Sequence, residues 1–133
     1  MRARKRFGQH FLRDDAVVAR IIAAIDPKPG EALIEIGPGL GVLTFPLLER
    51  CGRLRAIEID RDLAEALANS PRAGGRLEVL TADVLTVDFR ALRKSGPPLR
   101  LVGNLPYNIS TPLLFHLLGQ RDAIADMHFM LQR

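Results

Sequence analysis

The stretch Ala32-Leu33-Ile34-Glu35-Ile36-Gly37-Pro38-Gly39-Leu40-Gly41 decides the fold. Its first five residues form a short, mostly apolar run and read as a strand. Glycines at three alternate positions follow, and they permit a tight turn and close approach of a ligand to the backbone. Leu40, Leu43, Leu47 and Leu48 then recur on one helical face, which predicts a helix over 40–50. Working outward, the same alternation repeats. Strands are predicted over 53–59, 77–81, 99–103 and 127–131. Helices are predicted over 61–69, closed by Ser70-Pro71, and over 111–118, entered through Ser110 as N-cap with Pro112 in the first turn. A weak helix over 87–94 stops at Ser95-Gly96-Pro97-Pro98, and a leading helix covers 14–25. Strand–helix alternation of this kind means βαβ units, an α/β fold with a parallel sheet and helices on both faces. Nearly continuous apolar strands imply that both sheet faces are covered. Ligands in such sheets sit beyond the carboxyl ends of the strands, at the switch point, so residues just after strands are the candidates.

Composition narrows the classes. The chain has 133 residues, one domain's worth, with 47% hydrophobic and 26% charged residues, which argues against disorder. No apolar run approaches the ~20 residues of a membrane span. The basic N-terminus is followed by no apolar segment of a secretory signal. Cys51 is the only cysteine, so neither an internal disulfide framework nor a cysteine zinc cluster is available, and a cytosolic, reducing compartment is the default. The net charge is +4, and it is all at one end: residues 1–20 hold six basic residues against two acidic ones. Arg2, Arg4, Lys5 and Arg6 form a basic arm over 1–13 that suits a phosphate backbone. A solvated, frayed terminus is the other reading of the same charges. No repeat or low-complexity tract interrupts the chain.

Four motifs fall where ligands are expected. The glycine turn Gly37-Pro38-Gly39-Leu40-Gly41 has G-x-G-x-G spacing, not the G-x-G-x-x-G of dinucleotide enzymes. A tight connection without a ligand remains open for it. Glu58, at the end of the second strand, lies about twenty residues on and can accept both ribose hydroxyls of a nucleoside ligand. Asp60 suits the cap of the following helix. Asp83 can accept from an adenine amine lying across the strand ends, or simply form a turn. Asn104-Leu105-Pro106-Tyr107 follows the fourth strand and holds the only tyrosine. An aromatic at this edge can stack a flipped or single-stranded base. The Asn104 side-chain oxygen and the Leu105 carbonyl can accept from an amino group, and Pro106 fixes the turn. An adenine amine is a poor nucleophile, because its lone pair is delocalised into the ring. Two acceptors on its hydrogens favour pyramidal nitrogen and expose that lone pair to a nearby sulfonium methyl. Cys51, His116 and His128 read as packing or surface residues. His10, beside Phe11 and Leu12, suits an arm docked over the site. No metal-ligand spacing stands out.

Together, Lys5-Arg6-Phe7-Gly8-Gln9-His10-Phe11-Leu12, the glycine turn, Glu58-Ile59-Asp60, Asp83 and Asn104-Leu105-Pro106-Tyr107-Asn108-Ile109-Ser110-Thr111-Pro112 closely resemble the rRNA adenine N6,N6-dimethyltransferases. The resemblance runs from Arg4 to Arg133 and is strongest to the bacterial small-subunit branch. It implies a class I, Rossmann-like methyltransferase fold using S-adenosylmethionine, with no metal. It implies dimethylation of two adjacent adenosines near the 3′ end of small-subunit (16S) rRNA during ribosome biogenesis in the cytoplasm. Carried over by motif, His10, Leu12, Gly37, Gly39, Glu58, Asp83 and Asn104 would contact the methyl donor. Asn104, Leu105, Pro106 and Tyr107 would hold the target base, and Arg2, Arg4, Lys5 and Arg6 would meet RNA.

Members of that family continue for roughly as long again. The resemblance therefore implies that 1–133 is the N-terminal part of the catalytic domain, its sheet truncated after the fifth strand and its C-terminal helical domain absent. It further implies weak methylation, and self-association through an exposed edge at 127–131. Two alternatives share parts of the pattern: a large-subunit rRNA adenine methylase of the antibiotic-resistance type, and a non-catalytic RNA-binding assembly factor. A dehydrogenase fits neither the glycine spacing nor the residues after the fourth strand.

Overall fold

The structure, a computed structural model, describes residues 13–132. Arg2, Arg4, Lys5, Arg6, His10 and Leu12 lie outside the described residues. Asp14 caps the first helix, α1 (Asp15–Ile25), by accepting from the Ala16 N–H at 2.9 Å. The chain then runs β1 (Ala32–Ile36), α2 (Thr44–Cys51), β2 (Leu54–Glu58), α3 (Arg61–Ala68) and β3 (Leu77–Thr81). After α4 (Phe89–Arg93) come β4 (Leu99–Pro106), α5 (Tyr107–Leu118) and β5 (Ile124–Gln132). The five strands are all parallel, in the order β3-β2-β1-β4-β5. The chain works outward from β1 to β3, then crosses back to β4 on the other flank of β1. The switch point of the sheet is therefore between β1 and β4.

The alternation of side chains along β1 divides the core in two. Leu33 packs with Ile22, Ile25, Leu47, Leu48, Leu54 and Val102 on one face. Ile34 and Ile36 pack with Ile57, Phe89, Leu101, Leu105, Leu113 and Leu117 on the other. The central strands are buried on both faces, as expected. The outer strand β3 is not: its residues are half-buried or exposed, because helices cover the sheet centre first.

Four expectations are corrected. The helix predicted over 40–50 starts only at Thr44. Gly37, Gly39 and Gly41 adopt φ of +68°, +57° and +89°, so the backbone around Leu40 is not helical whatever the leucine spacing suggests. The fourth strand does not stop at residue 103. Asn104, Leu105 and Pro106 continue it by pairing with Met130, Leu131 and Gln132 of β5. Consequently α5 begins at Tyr107, four residues early, and Ser110 is not its N-cap. Its hydroxyl donates to the Tyr107 carbonyl at 2.9 Å inside the first turn, and Pro112 lies within the helix. The weak helix predicted over 87–94 resolves into a 3-10 turn at Val84–Thr86 and the short α4, which Asp88 caps.

The foot of the sheet is held by Arg100, whose side chain is 13% exposed. It pairs with Glu31 at 2.8 Å and Asp126 at 3.0 Å, and donates to the carbonyls of Ile25 and Asp26. One guanidinium thus joins the end of α1, the approach to β1, β4 and β5. Burial works against the Asp126 charge, yet the Arg100 hydrogen bond holds that carboxyl below the usual aspartate range.

At the other end of β4, Gly103 lies so close to β1 that a Cβ there would stand 2.7 Å from the Ile36 carbonyl oxygen. Gly103→Ala must push the two central strands apart. We expect it to cost about 2 kcal/mol or more and to lower the Tm by roughly 5 °C or more. An unchanged melting curve by calorimetry would contradict that close approach.

Candidate active site at the carboxyl ends of the strands

The glycine turn that leaves β1 is held from β2 by two hydrogen bonds. The Gly37 N–H donates to the Ile57 carbonyl at 2.8 Å, which ties the turn to β2. The Gly39 N–H donates to Glu58 Oε1 at 3.0 Å. At Gly41 a Cβ would meet the Phe45 ring at 2.7 Å and Leu67 at 2.9 Å, so that glycine is required for packing against α2 and α3. Gly37 differs. No atom lies within 4 Å of where its Cβ would stand, and its φ is positive, so a bare backbone faces open space there. This is the surface a ligand can approach closely.

Glu58 is only 3% exposed. Its Oε2 accepts from the Asp60 N–H at 2.9 Å while Oε1 takes Gly39. A buried carboxylate needs such donors, and this one joins the glycine turn to the start of α3. Asp60 caps that helix, as the sequence predicts, by accepting from the N–H groups of Asp62 and Leu63. Asp83 is exposed at the end of β3. Its Oδ1 accepts from the Leu85 N–H at 3.0 Å and its carbonyl from Thr86, so the turn role is realised. That turn carries the carboxylate at the rim of the sheet.

Asn104 and Leu105 lie inside the last turn of the sheet, not in a loop after it. Asn104 is buried on the face shared with Val102, and Leu105 points into the opposite core. Pro106 (φ −58°, ψ 143°) turns the chain from β4 into α5. Tyr107, the first residue of α5, is 68% exposed. Two further apolar side chains stand at the same rim: Leu40, 70% exposed after β1, and Ile59, 65% exposed after β2. Such large apolar groups left in water at one edge mark a binding surface. Sequence reading placed Leu40 in a helix and Ile59 in a strand, and so missed both.

It also missed Glu35. This carboxyl is 2% exposed, faces the same side of the sheet as Glu58, and accepts from the Thr44 hydroxyl at 2.6 Å. Burial pushes it up to about 7; the Thr44 hydrogen bond opposes the shift, and the charge of Glu58 adds to it. An acid amid the apolar residues of a predicted buried strand was the available signal.

The remaining candidates sit as expected. Cys51 is buried, its thiol donates to the Arg53 carbonyl, and burial pushes its pKa up. His116 reaches the Val87 carbonyl at 2.7 Å and packs edge-on to Phe89. His128 lies beside Asp126. Among the described residues, no group of His, Cys, Asp and Glu could hold a metal ion, and no helix is long and apolar enough to cross a membrane.

Comparison with known proteins bears on the family and the fold. A Variovorax paradoxus protein, ribosomal RNA small subunit methyltransferase A, is 61% identical over 132 residues, 98% of this chain and 50% of the relative. The Idiomarina loihiensis protein of the same name is 58% identical over 99% of this chain and 46% of its own length. The chain thus spans about half the length of the curated relatives it matches. Among solved structures, the 23S rRNA methyltransferase ErmE superposes with a TM-score of 0.73 at 29% identity, over 90% of this chain and 46% of that one. A Plasmodium falciparum dimethyladenosine transferase also gives 0.73, at 27% identity over 90% and 42%. The fold is therefore the α/β methyltransferase fold. With a family model described as ribosomal RNA adenine dimethylase matching residues 1–133, the chain belongs to the ribosomal RNA adenine dimethylase family.

Proposed function

We propose that this chain carries the methyl-donor site and the target-base platform of an enzyme that dimethylates N6 of two adjacent adenosines near the 3′ end of small-subunit rRNA. The observation that carries this reading is the position of Asn104–Tyr107: buried acceptors and an exposed aromatic at the switch point, one strand away from an open glycine turn. S-adenosylmethionine fits the rim and would supply an electrophilic sulfonium methyl. Gly37 and Gly39 offer bare backbone to its methionine part, Glu58 accepts from its ribose, and Asp83 accepts from its adenine. Ile59 and Leu40 wall the base and exclude water. Asn104 and the Leu105 carbonyl accept from the target amine and hold its lone pair toward the methyl. Tyr107 stacks the target ring, Pro106 sets its angle, and the proton shed by the amine passes to solvent. His10 and Leu12 would contact the methyl donor, and Arg2, Arg4, Lys5 and Arg6 would meet phosphates of the immature small subunit, in the cytoplasm where ribosomes are assembled.

A second reading, methylation of large-subunit rRNA, is favoured by the likeness to ErmE. The identity of 61% to a small-subunit enzyme outweighs it. Primer extension across both rRNAs separates the two. A purely RNA-binding role has no use for the Asn104–Tyr107 acceptors.

We further propose that two copies of this chain pair through β5, the outer strand of the described sheet. Met127 and Leu131 are exposed beside Phe129. His116 and Gln120 bind Val87 on one side of α5 and Leu113 and Leu117 face the sheet, so Leu114 and Leu118 lean the other way, over β5. Antiparallel pairing centred on Met127 sets Asp126 of one copy opposite His128 of the other, twice. Unpaired strand edges with an apolar face invite such addition.

Three outcomes are expected. Glu58→Gln weakens S-adenosylmethionine binding by tenfold or more in calorimetric titration, the loss of a charge-assisted hydrogen bond of roughly 1.5–3 kcal/mol; equal affinity would remove Glu58 from the donor site. Tyr107→Ala abolishes methylation while Tyr107→Phe retains most of it, and donor affinity stays constant in both, because stacking needs the ring and not the hydroxyl. Sedimentation velocity shows a dimer at high protein concentration, and a clean monomer across the range would sink the β5 pairing.

A further inference from the structure

Two carboxyl groups are buried side by side under the glycine turn, and the function described above uses only one. Glu58 is anchored by two backbone donors, from Gly39 and Asp60. Glu35, on the adjacent strand and the same face, receives the Thr44 hydroxyl. The register places Glu35 beside Ala56, two residues before Glu58 on β2, and beside Val102 on β4. The groups that face it are therefore the Thr44 hydroxyl from α2, the Glu58 carboxylate from β2, and the uncharged Asn104 amide from β4. Among the described residues no Lys or Arg forms an ion pair with Glu35. Few buried acids lack such a counter-charge.

A counter-charge that the described residues do not supply to Glu35 matches the ligand. This step rests on the donor-site reading above. S-adenosylmethionine carries a sulfonium cation. Its demethylated by-product, S-adenosylhomocysteine, has a neutral thioether and is otherwise the same molecule. Bare glycine backbone, Glu58 and Asp83 meet parts that the two share. We propose that Glu35 is the residue by which this site prefers the charged methyl donor to its neutral by-product.

The physical basis is a wall of low dielectric, where a charge is felt at a distance. Glu35 is 2% exposed and its carboxyl is held by the Thr44 hydroxyl, so it acts on ligand charge and not on ligand shape. Its carboxyl titrates near neutrality because burial disfavours the charged form. Below that point Glu35 is neutral and treats the two ligands alike. Above it Glu35 is ionised and favours the cation. Entry of the cation in turn favours ionisation, so donor binding near pH 7 releases a proton, by linkage. Discrimination therefore rises with pH.

The test is calorimetric titration of the 133-residue chain with S-adenosylmethionine and with S-adenosylhomocysteine at pH 6, 7 and 8, in phosphate and in Tris. The donor-to-by-product affinity ratio should rise on the order of tenfold between pH 6 and pH 8, about one pK unit of coupling. Donor binding should show a buffer-dependent enthalpy at pH 7. Glu35→Gln, an isosteric neutral variant, should flatten the ratio and abolish proton release while both ligands still bind. This control also separates Glu35 from His10, which lies outside the described residues. Thr44→Val removes the hydrogen bond that favours the ionised form, and should move the midpoint of the ratio to higher pH. Merely loosened packing would not produce that directional shift. Tight binding of both ligands with a pH-independent ratio overturns the inference and leaves the donor site standing. Failure of either ligand to bind the folded chain overturns the donor-site reading, and the inference with it.

Discussion

Parallel pairing of β1 with β4 is the contact on which the rest depends. It brings Ile36 and Gly103 into register at the centre of the sheet. The glycine turn begins directly after Ile36, and Asn104–Tyr107 follows directly after Gly103. The glycine turn leaves from one side and Asn104–Tyr107 from the other. The pairing is close because position 103 has no side chain, and the Ile36 carbonyl occupies the space one would need. Strand spacing and site geometry are thus set by the same atom-level contact.

Charge is divided between the two ends of the sheet. At the carboxyl ends lie two buried acids, with backbone N–H groups and one hydroxyl as their donors. At the foot lies one buried guanidinium with two carboxylates and two carbonyls around it. The foot is internally balanced and is therefore structural. The other end gathers two buried acids in a low-dielectric rim, a concentration of negative potential that draws cations toward it. Glu58 shapes the turn through its bonds from the Gly39 and Asp60 N–H groups.

Local signals carried most of the fold. The strands Ala32–Ile36 and Leu77–Thr81 were legible to the residue, because apolar runs bounded by turn residues leave little choice. Asp60 was legible as a cap because its acceptor works within three residues. What failed was non-local. Leucine spacing around Leu40 resembles a helix, but three positive φ values override it. Asn104 and Pro106 look like turn residues, yet a ladder with β5 keeps them in the sheet. The partial exposure of β3 follows from which helices reach the edge, and no run of residues states that. The four motifs fall at or just beyond the carboxyl ends of their strands, as read, because strand ends and turn residues are local signals. Glu35, Ile59 and Leu40 were not legible, since their significance lies in burial and exposure, which only the assembled sheet decides.

The Arg100 clamp has a consequence for how the chain reaches this state. Its partners are separated from it by 26 to 75 residues, so none of its bonds can form within a local segment. During synthesis α1 emerges early, but its last carbonyls wait for an arginine made some seventy residues later, and that arginine waits for Asp126. Loop closure over such spans carries its entropic cost before any contact repays it. The foot of the sheet is consequently a late checkpoint on the nascent chain. Until β5 has emerged the clamp lacks Asp126, and α1 is held mainly by the packing of Ile22 and Ile25 against the sheet.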